Sequence, residues 1–61
     1  MILFADIPGE RLDAFVARCA EGLTRSAAQK LIEEGHVTRN GKPAKKNDKL
    51  NTGDRIEYTV P

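Results

Sequence analysis

The sequence predicts an α+β domain, two packed helices against a small, largely antiparallel sheet. Three observations carry that expectation. Two consecutive segments, residues 10–23 and 24–34, space their apolar residues as helices do. An Asn-Gly pair sits between two short strand-like runs. The run from Arg55 to Val60 alternates polar and apolar residues, the period of a half-buried strand.

The elements follow in order. Residues 2–5 (ILFA) read as a short strand, broken by Pro8 and Gly9. From Glu10 the pattern turns helical, with Leu12, Phe15, Val16, Cys19, Ala20 and Leu23 on one face. Arg11, Arg18 and Glu21 lie away from that face, and the helix is expected to end near Glu21–Gly22. The Thr24 hydroxyl suits the cap of a second helix. Its apolar side is Ala27, Ala28, Leu31 and Ile32, and Gly35 stops it. A strand starts at His36, and Asn40-Gly41 turns a hairpin, because both residues tolerate the positive φ of a type I′ turn. Pro43 lacks an N–H and so marks a sheet edge or a strand end. Residues 45–49 (KKNDK) form a basic loop, 51–54 (NTGD) a second turn, and Ile56, Tyr58 and Val60 share the buried face of the last strand.

Sixty-one residues make one domain. A chain this short buries only about 60% of the surface its unfolded form exposes, so its core is thin and a deep, walled active site is not expected. One cysteine excludes an internal disulfide, and one cysteine with one histidine gives no zinc-ligand set. Cys19 reads as a small core residue and His36 as a solvent-facing exit residue. The opening run MILFA is too short and lacks the basic flank of a signal peptide. A cytoplasmic monomer with no membrane contact, no cofactor, no metal and no small-molecule substrate is the resulting expectation. There is no Gly-rich phosphate loop, no Ser–His–acid set and no paired carboxylates placed for catalysis. Glu33-Glu34 reads as a solvated helix end.

The formal net charge of +1 hides a strong segregation. Residues 24–49 hold seven Lys or Arg against three carboxylates, while both flanking segments are net acidic. Arg25, Ser26, Gln29 and Lys30 line one side of the second helix. Arg39, Asn40, Gly41 and Lys42 occupy the hairpin tip, and Lys45, Lys46 and Lys49 follow in the loop. A helix N-terminus, a turn and a loop can present cations to one polyanion, which a phosphate backbone rewards through counterion release. Phe4, Phe15 and Tyr58 read as structural, which leaves no aromatic platform for stacking single-stranded bases. Structured RNA, gripped by backbone and shape, is therefore the expected partner.

Three stretches carry a family resemblance: GERLDAFVA, LTRSAAQKLIEEGHVTRNGK and KLNTGDRIEY. Together they resemble the S-four (S4) RNA-binding domain, named after ribosomal small-subunit protein four, from about Gly9 to Tyr58. The strand ahead of Arg11-Leu12-Asp13 is most similar to the domain that precedes the catalytic part of large-subunit ribosomal RNA pseudouridine synthases. The resemblance implies the alpha-L RNA-binding motif, with Arg11, Arg25, Ser26 and Lys30 as helical contacts and Asn40, Gly41 and Lys42 as turn contacts. Positions 27 and 28 are Ala where the family often has a further basic residue. Arg39 stands where Val is common, and the two departures shift the expected weight toward the hairpin and the Lys45–Lys46 loop. Asp13 then belongs to the binding module and is not a catalytic aspartate.

The resulting expectation is a single RNA-binding domain over residues 1–61, with Pro61 at a linker to a catalytic part that the chain lacks. A free-standing factor of the same fold that binds ribosomes or transfer RNA, and a protein–protein interaction module, are the rival readings.

Overall fold

The computed structural model describes residues 1–20 and 22–61. Its elements run β1 (Ile2–Phe4), α1 (Leu12–Cys19), α2 (Arg25–Glu33), β2 (Val37–Arg39), β3 (Lys42–Pro43) and β4 (Arg55–Tyr58). The four strands form one antiparallel sheet in the order β1-β4-β2-β3. The two helices pack against each other and cover one face of the sheet. The expected α+β architecture is therefore present.

Helical periodicity became burial. Leu12, Phe15, Val16 and Ala20 from the first segment and Ala28, Leu31 and Ile32 from the second meet Val37, Leu50, Ile56 and Tyr58 in one core. Cys19 and Leu23 are half-buried and pack against it. Thr24 caps α2 as expected, its hydroxyl accepting from the Ala27 N–H at 3.1 Å. Gly35 leaves α2 with a φ of 83°, the left-handed exit that a side chain would strain. Glu21, where the first helix was expected to end, lies outside the described residues, and α1 ends at Cys19.

Two apolar expectations fail. Phe4 is 64% exposed, because Leu3 and not its neighbours turns toward the core, and a three-residue strand carries too little pattern to say which face is buried. Val60 lies beyond the end of β4 and is exposed, so only Ile56 and Tyr58 of its alternating set are buried. His36 is half-buried, as its carbonyl accepts from the Thr59 N–H at 3.0 Å.

Candidate nucleic-acid interface

Strand register decides where the hairpin points its cations. Arg39 pairs with Ile56 on one side and Lys42 on the other, so both basic residues stand on the sheet face that the helices cover. The hairpin runs past the helices, and an open depression of about 440 Å³ forms there, lined by Arg39, Asn40, Lys42, Pro43 and Asp48. The turn has the expected chemistry, with φ 52° at Asn40 and 82° at Gly41.

Asn40 does more than tolerate the turn. Its side-chain oxygen accepts from the Arg55 N–H at 2.9 Å, and its amide donates to Asp54 at 3.1 Å. Arg39 donates to the same Asp54 carboxylate from Nε at 2.9 Å and approaches it with Nη2 at 2.8 Å. The Asn51 N–H first, then Asn40 and Arg39, hold Asp54 below the ordinary carboxylate range. The acid is ionised at neutral pH and ties the hairpin tip to the turn before β4.

The basic loop is not loose. Its backbone is laced along the start of α1: Leu12 N–H donates to the Asp48 carbonyl at 2.8 Å and Asp13 N–H to the Lys46 carbonyl at 3.1 Å. Leu50 N–H reaches the Glu10 carbonyl at 2.9 Å, and Arg11 forms an isolated bridge with Lys49. These contacts use the orphan N–H groups of α1, so its N-terminus offers nothing to an anion. They also set Lys49 beside Arg11, with Asp48 reaching the hairpin depression.

On α2, the stripe Arg25, Gln29, Glu33 faces α1 and the loop, and Ser26 and Lys30 are exposed on the adjoining stripe. Glu33 pairs with Lys46 at 3.1 Å. Gln29 and Arg25 turn to Asp13, which is 0% exposed. Its carboxylate accepts from Gln29 Nε2 at 2.8 Å, Ala14 N–H at 2.8 Å, Arg11 Nη2 at 3.1 Å and Arg25 Nε at 3.4 Å. Burial acts to raise its pKa, but the Gln29 amide, the Ala14 N–H and the two arginine charges outweigh that and hold it below the ordinary 3.8.

The eleven expected contact residues therefore fall into two kinds. Arg11, Arg25 and Gln29 are tied to Asp13, Arg39 and Asn40 to Asp54, and Lys46 to Glu33. Ser26, Lys30, Gly41, Lys42 and Lys45 are exposed, and the three lysines carry no ion pair among the described residues. Arg18 lies outside the set, held by Glu10 and Asp6 over the Phe15 ring. Charge counting missed the two organising acids. A signal for Asp13 existed: Val16, Ala17 and Ala20 follow it at three, four and seven residues, so it shares the stripe that packs on α2. Asp54 gave no comparable signal.

Comparison with known proteins agrees with this architecture. The model of the S4 domain family matches residues 10–56. An uncharacterized RNA pseudouridine synthase of Synechocystis sp. is 48% identical over 54 residues, which is 87% of this chain and 16% of that protein. Another, YlyB of Bacillus subtilis, is 36% identical over 52 residues, 85% of this chain and 17% of that one. Ribosomal large subunit pseudouridine synthase D of Neisseria meningitidis is 38% identical over 55 residues, 90% of this chain and 15% of that one. The chain thus spans about a sixth of the length of these relatives. No solved structure matches it significantly.

Proposed function

This chain belongs to the S4 domain family, and on that premise we propose that it is the RNA-gripping part of an RNA pseudouridine synthase. It holds structured, ribosomal RNA by backbone and shape and has no catalytic role of its own. The isomerisation belongs to the much longer remainder that the relatives possess. Binding is as a monomer in the cytoplasm, without cofactor or small-molecule substrate, and the contacts are Arg11, Arg25, Ser26, Gln29, Lys30, Arg39, Asn40, Gly41, Lys42, Lys45 and Lys46.

One observation carries this reading: the lacing of Lys46–Leu50 along Gly9–Asp13, in a loop whose Lys46 pairs with Glu33 of α2 and whose Asp48 lines the depression beside the hairpin. Such a loop supports a reading in which cations from three separate parts of the chain serve one surface, where neutralising several phosphates together releases several counterions. Phe15 and Tyr58 are buried, and the exposed Phe4 pairs with Arg55 on the sheet face opposite Arg39 and Lys42, so no aromatic ring stands among the hairpin cations and a base-paired target is favoured over stacked single-stranded bases.

The test is binding to a stem-loop of large-subunit ribosomal RNA, a single strand of the same length and a DNA duplex, across a salt series. The stem-loop is expected to bind best, with log affinity falling against log salt at a slope of about −3 to −5. Arg25→Ala combined with Lys42→Ala is expected to weaken it and flatten the slope. Unchanged affinity in that double variant rejects the surface. A second reading, an interaction module, draws on the exposed Ile2 and Phe4 of edge strand β1. A dimer in sedimentation with no RNA binding at low salt selects it.

A further inference from the structure

Asp13 is the one buried charged side chain among the described residues. Removing a carboxylate from water is costly unless it is paired and hydrogen-bonded. Its Oδ1 takes the Ala14 N–H, and its Oδ2 takes Gln29 Nε2, Arg11 Nη2 and Arg25 Nε. Two guanidiniums from different helix starts are thus gathered on a single oxygen. They would repel each other if that oxygen were neutral.

The two arginines are not consumed by the contact. Arg11 and Arg25 remain 43% and 54% exposed. Arg11 spends only Nη2 on Asp13, which leaves Nε and Nη1. Arg25 spends only Nε, which leaves both terminal nitrogens. A guanidinium has a rigid planar fork, so fixing one N–H fixes the direction of the rest.

Resting on the RNA-binding reading above, we infer that Asp13 is a positioning residue that assembles Arg11 and Arg25 into a two-arginine clamp for one backbone phosphate of the RNA. Asp13 does not touch the RNA. It lowers the ordering cost of two long side chains before the phosphate arrives, and Gln29 holds its carboxylate in place without adding charge.

Asp13→Asn makes the clamp distinguishable from the alternatives, because each predicts a different change in affinity. The change raises the formal net charge of +1 by one. If Asp13 only competes with phosphate for the arginines, the variant binds the ribosomal stem-loop more tightly. If Asp13 only joins the helices, melting falls but affinity, measured where the variant is fully folded, does not change. The clamp predicts an affinity loss of about three- to tenfold despite the added positive charge, and a salt slope smaller by about one to two units. In an Arg11→Ala/Arg25→Ala background the same substitution is expected to cost nothing further.

If Asp13→Asn does not fold, the wild-type chain decides through its arginine side-chain NMR signals. The Arg11 and Arg25 guanidiniums are expected to be rigid in the free protein, unlike that of exposed Arg55, and both to shift on adding the stem-loop. Mobility equal to that of Arg55, or a shift in one alone, overturns the clamp. Failure of the wild-type chain to bind the stem-loop rejects the RNA reading and the clamp together. Binding that is indifferent to Asp13→Asn and to the arginine pair rejects the clamp alone.

Discussion

Asn40 sets the hairpin that carries Lys42, and two substitutions separate the ways in which it does so. The backbone there has a φ of 52°, which costs an ordinary L-residue about 1 kcal/mol or more and glycine almost nothing. The Asn40 side chain also accepts the Arg55 N–H at 2.9 Å, worth about 1 kcal/mol net. The amide contact to Asp54 is solvated and adds little. Asn40→Ala loses both contributions, about 2 kcal/mol, and Asn40→Gly loses only the hydrogen bond, about 1 kcal/mol. A domain of this size has about 3–9 kcal/mol in total. At about 4–8 °C per kcal/mol the Tm falls by about 8–16 °C for Ala and about 4–8 °C for Gly.

Thermal melting followed by circular dichroism reads both variants, with urea unfolding as a check. The same pair, assayed well below the lower Tm, is expected to bind the RNA stem-loop more weakly in the order Asn, Gly, Ala. Equal melting of the Ala and Gly variants would refute the backbone argument. A fall of less than about 2 °C in both would refute the hydrogen-bond argument as well, since the lost bond alone should move the Tm further.

Three more outcomes follow from the geometry. Asp13 has a folded pKa below its ordinary value, so its contribution to stability is complete above the unfolded value of about 3.9 and is lost as pH falls through the folded one. Urea unfolding between about pH 6 and about pH 2 should show that loss in the wild type and a flatter profile in Asp13→Asn. Phe15→Ala removes the largest fully buried side chain at a cost of about 3–5 kcal/mol, comparable to the whole stability, and a cooperative melt near the wild-type temperature would contradict the core. Lys46→Ala loses only an exposed pair with Glu33, so its Tm should stay within about 2 °C of wild type while the salt slope of RNA binding drops by about one unit.

The parts of this fold that were legible in the sequence are those fixed over short range. Helical spacing identified the core faces of α1 and α2, Thr24 and Gly35 marked the limits of α2, and Asn40-Gly41 marked the hairpin. Ten of the eleven candidate contacts lie in residues 24–49, where an excess of charge draws the eye to them, whereas Arg11 entered through the family resemblance alone. Their organisation was not. The pairing of Lys46–Leu50 with Gly9–Asp13 joins segments far apart in sequence, and no local pattern records it. The exposure of Phe4 depends on which side of a three-residue strand the helices cover, which the strand itself does not encode.

The two acids treat the arginines and most of the lysines among the candidate contacts differently. Arg11 and Arg25 gather at Asp13, and Arg39 is held at Asp54, whereas Lys30, Lys42, Lys45 and Lys49 have no carboxylate among the described residues. A guanidinium delivers its advantage over an ammonium only when its plane is oriented, and orienting it costs side-chain entropy that a fixed carboxylate can meet in advance. An ammonium acts as a point charge and loses little by moving. On the proposed surface, lysine changes should therefore weaken all polyanions to a similar degree and lower the salt slope. Changes at Asp13, Asp54 or their arginines should instead narrow the preference for the stem-loop over the DNA duplex, because the spacing of phosphates differs between the two and the Asp13 clamp and the Arg39 fork at Asp54 would each meet a different phosphate from a fixed position.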